Sequence, residues 1–336
     1  MSIIKTFIIV THICMYSGKN NAPDGPAGFI SDTISRNQLM IDLAGHPVPV
    51  LKGGLYDRFR SNPPLSVIAA ERPDIDLSWF KTIQKQKKEA GFTTYSPNFY
   101  YSNSSITAIY TADMKRLKEL IPAAVRDLVK PISIMPGRGL IAITAYRYHY
   151  CDNDAYNELS ISIITGKPDK PNRGIFSLLG ELKEKNLWGY VVKLPLDSEL
   201  GRVRGVLGYN LPKWVIPIDY LDNKDHLTFH FYDETGNPDF TITGNKLDVS
   251  ATKVAIVRTN FINQNTKGEL THGYSDTRAL QKAGSKRKSN FKLQLGNGPL
   301  STFIKSLNLG KMIRYEYQPE FQLALYTPEL VKDKRK

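Results

Sequence analysis

Residues 140–150 read LIAITAYRYHY, and residues 158–165 read ELSISIIT. The first run is long, β-branched and aromatic, a composition that fits a pleated, half-buried surface. The second alternates with a period of two, so its apolar side chains share one face. Similar runs follow: YVVKLPL at 190–196, RVRGVLGY at 202–209, WVIPIDYL at 214–221, KVAIVRTNF at 253–261 and FQLALYT at 321–327. HLTFHFYD (226–233) and DFTITG (239–244) flank ETGNP, a hairpin signal. The pattern predicts a mainly β (α+β) protein. Its core is an antiparallel sheet of many strands, closed or strongly curved, with a few helices outside. Closing such a sheet removes its edges and leaves an interior for a ligand.

Helices are few. In TADMKRLKELIPAAV (111–125), Met114, Leu117, Leu120 and Ile121 follow helical spacing. Thr111 or Asp113 can cap its start by accepting a backbone N–H bond. Pro122 ends the helix or opens a second short turn. Residues 76–91 read as a polar helix stopped by Gly91, and short helices are expected near 176–186 and 300–308. Residues 17–65, rich in Pro, Gly and Asn, read as loop. There is no internal repeat and no low-complexity linker.

The chain has 336 residues, 41% of them hydrophobic and 10% aromatic, with 18 Tyr. This is the composition of a packed globular protein. The net charge of +13 raises the question of nucleic acid. Its placement answers otherwise. QKAGSKRKSNFK (281–292) holds five Lys/Arg and no acid, and the tail VKDKRK (331–336) four against one, together eight of the thirteen. These read as a solvated loop and a basic terminus, so no nucleic-acid partner is expected. Cys14 and Cys151 form no CxxC and no disulfide framework. No run is long enough to span a membrane. Lys5 and the apolar stretch 6–16 resemble a weak secretory signal. Thr11 and His12 interrupt that stretch, however, and no small-x-small site follows. A cytoplasmic protein is expected, with export through this segment as the alternative.

Familiar chemistries are missing. There is no GxxxxGK[ST], and GRVRGVLG lacks a strand–GxGxxG–helix context. There is no GxSxG. His149 and Cys151 share a strand face, but no third ligand is evident. His226 and His230 stand roughly 13 Å apart on theirs. No metal site and no cofactor are implied. Lysine chemistry remains. LGYNLPKWVIPI (207–218) carries one charge, Lys213, in an apolar run. An amine attacks a ketone only when unprotonated, and burial or a neighbouring cation frees its lone pair. In a strand, Lys213, Val215 and Pro217 would share one face, and Trp214, Ile216 and Ile218 the other. An edge lysine snorkelling out of the sheet fits the same pattern.

At these residues the sequence resembles the acetoacetate decarboxylase family. ITAIYTADMKRLKELIPAAV (106–125) is similar to the family's strand followed by TDxxxLxxLxP. DAYNELSISI (154–163) is similar to its G-x-Y-x-E strand and places Glu158 at the family's carboxylate. PLDSELGRVRGVLGYNLPKW (195–214) aligns without a gap from Asp197 through Gly205 to Lys213, and STFIKSLNLGKMIRYEYQPEF (301–321) resembles the C-terminal strands. The likeness covers roughly 95–328. It implies an N-terminal extension at 1–90, a barrel domain at 91–330 and a basic tail at 331–336.

The resemblance implies a cone-shaped antiparallel β-barrel with a central cavity, a few peripheral helices and an imine-forming Lys213. The family's lysine condenses with a β-keto acid, and the protonated imine takes up electrons as CO₂ leaves. Glu158 would orient the substrate or shuttle a proton. Tyr156, Tyr146 and Tyr148 are candidates to line the cavity, and Trp214 and Arg204 to bind substrate. The chain also departs from the family. Trp214 replaces a second lysine, and Gly205-Val206-Leu207 stands at the GRE motif. The expected arginine falls near Asn103 and an upstream carboxylate near Ile143. These changes argue against acetoacetate itself. They leave a carbon–carbon lyase, of decarboxylase or aldolase/dehydratase type, acting through a Schiff base on a keto acid or related carbonyl compound. The rival is a non-catalytic barrel that binds a small apolar or carbonyl ligand. A homo-oligomer is expected, and YDRFRSNPP (56–64) is a candidate to cover the barrel mouth or an oligomer interface.

Overall fold

The computed structural model describes residues 37–168, 170–251 and 255–331. Cys14, the stretch 6–16 and the tail beyond residue 331 fall outside them. The described chain opens with a hairpin, β1 (Gln38–Leu43) and β2 (His46–Leu51). Its turn residues Ala44 and Gly45 take φ of 56° and 81°, as a two-residue type I′ turn requires. Two short helices follow, α1 (Leu55–Phe59) and α2 (Leu65–Glu71). Most of 38–65 is therefore regular structure and not loop. Pro47 and Pro49 are tolerated because the hairpin is a two-stranded ribbon with free edges.

The expected helix at 76–91 is also corrected. Phe80–Thr82 forms one 3₁₀ turn, and β3 (Gln86–Glu89) pairs with β4 (Thr93–Ser96) around Gly91, whose φ is 78°. The large apolar residues of the segment end at Ile83, so residues 84–91 have no stripe to hold a helix against the core. Instead Trp79 and Phe80 pack on Phe99 and Tyr101, and Lys85 is drawn to a buried carboxylate.

The long strands come next. β5 (Asn98–Asp113) leads into α3 (Met114–Glu119), where the Asp113 carboxylate accepts the Arg116 amide at 2.8 Å. Pro122 opens a 3₁₀ turn at Ala123–Val125. β6 (Ser133–Met135), β7 (Arg138–Cys151) and β8 (Tyr156–Thr165) follow, then α4 (Ile175–Glu184) and β9 (Asn186–Lys193). Next is α5 (Glu199–Tyr209), where a strand is expected from RVRGVLGY. Ser198 caps α5 by accepting the Gly201 amide at 3.1 Å. Leu200, Val203 and Leu207 recur at helical spacing and pack on Val48, Val50 and Tyr56. The strand expected from Trp214 begins only at Ile218, because Pro212 and Pro217 cannot donate to a ladder.

β10 (Ile218–Asp222), β11 (His226–Tyr232) and β12 (Pro238–Asn245) form a second sheet. The chain then returns through β13 (Ser250–Ala251), β14 (Ile256–Gln264) and β15 (Leu270–Ser285). After a 3₁₀ turn at Lys288–Asn290 it adds β16 (Phe291–Leu295) to the second sheet. It ends with α6 (Pro299–Ser306) and β17 (Met312–Leu330). The basic stretch 281–292 is thus mostly strand, with only its middle connecting two of them.

Seven strands close a ring in the order β15–β14–β9–β8–β7–β5–β17, and β17 pairs back onto β15. Every pair in the ring is antiparallel except β9–β14, which is parallel. That exception follows from the long excursion through α5 and the second sheet between the two strands. The alternation of ELSISIIT uses both faces of this wall. Leu159, Ile161 and Ile163 point outward into a core shared with Phe229, Phe231, Phe240 and Ile242 of the second sheet. Glu158, Ser160 and Ser162 point into the barrel.

Candidate active site

Lys213 does not lie in a strand. Helix α5 stops at Asn210, which takes a left-handed φ of 54°. The chain then runs irregularly beside residues 195–197. The Leu196 amide donates to Trp214 O at 3.1 Å, and the Ile216 amide to Leu196 O at 2.9 Å. The same strip is bound to β8, the Leu159 amide donating to Pro195 O at 2.9 Å. This fixes the backbone of 211–216 across one end of β8 and turns the Lys213 side chain inward. Its stem crosses α5 at Gly205, where a Cβ would lie 2.3 Å from Lys213 Cδ.

Inside the barrel, Lys213 Nζ donates to Glu158 Oε2, and the two side chains are only 4% and 5% exposed. Tyr148 donates its phenolic hydrogen to Glu158 Oε1 at 3.0 Å. Lys213 Nζ also sits 5.7 Å from the centre of the Tyr156 ring, and the Tyr156 and Tyr100 hydroxyls are 3.0 Å apart. Burial pushes the phenols of Tyr100, Tyr146, Tyr148 and Tyr156 well above their ordinary range. All four are therefore neutral donors at physiological pH. Both oxygens of Glu158 are engaged, one by a cation and one by a neutral donor, the arrangement that lets a buried carboxylate persist.

The pair opens onto a cavity of about 140 Å³. Tyr100, Tyr146 and Tyr148 form one end. Hydroxyls of Thr144, Ser160, Ser162, Thr259 and Ser275 dot its walls, and Leu187, Val191, Leu211, Phe261 and Leu323 supply the apolar surface. Among these lining residues Lys213 is the only cation and Glu158 the only anion.

The other candidate residues are placed differently. Arg204 is fully buried, but it donates to Asn98 Oδ1 at 2.7 Å and Thr94 Oγ1 at 2.9 Å and covers the Tyr56 ring. It ties α5 to β4 and α1 and does not line the cavity. Trp214 faces away from Lys213, into an outer cleft with Tyr232 and Phe303, where the Lys193 ammonium lies 5.3 Å from its ring. Neighbouring residues on an extended segment point to opposite sides, so the side chain in the second-lysine position leaves the barrel. Segment 56–64 does not line the cavity either, and Tyr56 packs on α5. His149 is held neutral, its pKa pushed down to about 2 by burial and then by Arg147 and Arg72. Among the described residues no three His, Cys, Asp or Glu side chains gather closely enough to hold a metal ion.

Sequence reasoning missed Tyr100, the hydroxyl-bearing wall and the steric role of Gly205. The wall was accessible in principle, because Ser160 and Ser162 share the parity of Glu158. Gly205 was visible only as an alignment position.

A closed seven-strand barrel with a second sheet on its outer face is the acetoacetate decarboxylase-like fold. The chain resembles the crystal structure of acetoacetate decarboxylase from Legionella pneumophila subsp. pneumophila str. Philadelphia 1 with a TM-score of 0.51 and 13% identity. The match covers 71% of this chain and 89% of that one. The enduracididine biosynthesis enzyme MppR complexed with pyruvate gives 0.50 at 11% identity, over 71% of this chain and 91% of that one. At such identities the likeness is one of fold. The sequence matches no family model, and no curated protein matches it. No helix among the described residues is long and apolar enough to cross a membrane.

Proposed function

We propose that this protein is an acetoacetate decarboxylase-like lyase in which Lys213 forms an imine with a small keto acid or related carbonyl compound. The observation that carries this reading is the burial of Lys213 and Glu158 as a pair in one cavity. A lysine held there serves no solvent-exposed purpose, and its partner is a carboxylate able to take its proton.

The steps follow from the geometry. Glu158 accepts a proton from Nζ, and the freed amine adds to the carbonyl carbon. The carbinolamine oxygen takes protons and leaves as water, and the cationic imine remains beside the Glu158 carboxylate. That cation accepts the electron pair of a breaking carbon–carbon bond. Glu158, steadied by Tyr148, takes up a proton, from water when CO₂ leaves or from the substrate hydroxyl in an aldol cleavage, and passes it to the resulting enamine carbon, and water hydrolyses the imine. Within this scheme Tyr148 is a positioning residue. The structural neighbour complexed with pyruvate supports a small carbonyl substrate.

The test is borohydride reduction with a panel of keto acids, ketones and aldehydes, followed by peptide mapping. An adduct is expected on Lys213 and absent in Lys213→Ala. If no member of the panel modifies Lys213, the catalytic reading fails and the non-catalytic binder takes its place.

A further inference from the structure

The cavity around Lys213 differs from a keto-acid site in its charge. Lys213 and Glu158 are the only charged side chains that line it, and they are paired. Once the imine forms, the cationic nitrogen and Glu158 still cancel. A substrate carboxylate would add a second negative charge with no cation to meet it. Moving such an ion from water to the buried end of this site, beside Glu158, is unfavourable unless it is paired.

What the wall offers is hydroxyl groups. Thr144 and Ser160 are directly opposed on β7 and β8, and Thr259 and Ser275 on β14 and β15. Ser162 adds a fifth, 2.8 Å from Ser160. The Thr259 hydroxyl is buried and has no hydrogen-bond partner among the described residues. Buried polar atoms are normally paired, so an open valence on a residue that lines the cavity marks a group that a ligand atom can satisfy. The volume of about 140 Å³ is close to that of an engineered cavity that encloses one benzene ring, which limits the ligand to roughly that size.

We infer that the substrate is an uncharged hydroxy-carbonyl compound, whose hydroxyl is held by Thr259 and the neighbouring hydroxyls. This rests on the Lys213 imine reading and narrows it. For a β-hydroxy ketone the reaction is an aldol cleavage. Condensation with Lys213 releases one water. The bond between the α and β carbons then breaks, its electron pair passing into the cationic imine. The hydroxyl proton goes to Glu158, and an aldehyde departs. Glu158 returns that proton to the enamine carbon, and one water hydrolyses the imine to free the ketone. No oxidant or reductant is needed.

The experiment uses matched pairs: 4-hydroxy-2-butanone against acetoacetate, and hydroxyacetone against pyruvate. Borohydride trapping on Lys213 is titrated for each, and equilibrium binding without borohydride is measured by thermal shift. The uncharged member should trap and bind at concentrations at least tenfold lower. Keto acids that trap on Lys213 as well overturn the inference and leave the imine reading intact, and keto acids that bind as well without trapping overturn both. Uncharged compounds that bind preferentially without trapping would sink the imine reading and uphold the charge argument. Binding of neither class overturns both. Thr259→Val keeps the shape and removes the hydroxyl. It should weaken 4-hydroxy-2-butanone several-fold and leave 2-butanone unchanged, whereas equal effects on the two overturn the assignment of Thr259.

Discussion

Gly205 is the residue on which the position of Lys213 turns. The lysine stem passes over α5 at that point, and a single methyl group would overlap its Cδ and Cε. Alanine in a helix is ordinarily favoured over glycine by about 0.8–1.0 kcal/mol, so Gly205→Ala should not unfold α5. The atoms in the way belong to a flexible side chain, and it is the lysine that must move. Borohydride trapping on Lys213 should therefore fall at least tenfold while the melting temperature stays level or rises slightly. Unchanged trapping would mean that the stem has another route to Glu158. The same residue shows where sequence stops being informative. The spacing from Asp197 to Gly205 to Lys213 singles out the lysine and the glycine, and says nothing of their contact. Lys213 and Glu158, fifty-five positions apart, meet only because residues 195–197 bridge β8 to the segment after α5.

At the scale of elements, α4 packs on the barrel and brings Leu178 to the cavity lining. Leu178 is buried against Ile109, Leu140 and Ile164, and Glu181, one turn on, is buried with it. The Glu181 carboxyl accepts the Lys167 amide at 2.9 Å, while Oε2 has no partner among the described residues. Burial raises its pKa to about 7, against the pull of the Lys167 and Trp188 amides. The folded state then holds this proton more tightly than the unfolded one, whose reference value is 4.5. Its contribution is complete below that value and is lost as pH rises through 7. Glu181→Gln abolishes this titration. The melting temperature of the variant relative to the parent should climb between pH 5 and pH 8, and a difference independent of pH would refute the assignment. The helix itself was expected from the sequence near 176–186 and spans Ile175–Glu184. Helix α5 was not, because in RVRGVLGY Val203 and Val206 favour strand and the glycines weaken the helix signal. Its helical stripe gains meaning only against Val48, Val50 and Tyr56, which arrive from a region that reads as loop.

Across the whole molecule, the residues before β5 are bound to the barrel by a buried ion pair. Lys85 Nζ lies 2.6 Å from Asp152 Oδ2 and also donates to Ser61 O at 2.7 Å, and the two charged side chains are 8% and 0% exposed. Asp152 also accepts the Phe99 amide and the Tyr101 hydroxyl. Removing the lysine strands the carboxylate in the interior, which costs roughly 3–5 kcal/mol. Lys85→Met should lower the urea midpoint accordingly. Trp79 reports on the N-terminal region and Trp188 and Trp214 on the barrel. Their fluorescence should change in one transition, in parent and variant alike. Separate transitions would make the N-terminal region an independent unit.

The sequence by itself determined the strand-rich character and, through the order of a few motifs, the fold type, since period-two patterning and motif order survive great divergence, while whether the sheet closes or only curves strongly stayed open. It also marked Lys213 as a charge in apolar company. Only the tertiary structure decided which way that lysine points, what accompanies it and where the other candidates lie. Arg204 became a tie between elements, and Trp214 turned to the outside. The physical reason is that alternation fixes the faces of a strand, whereas Lys213, Trp214 and Gly205 lie on a helix and an irregular segment. There, direction is set by the backbone bonds made with β8 and its neighbours.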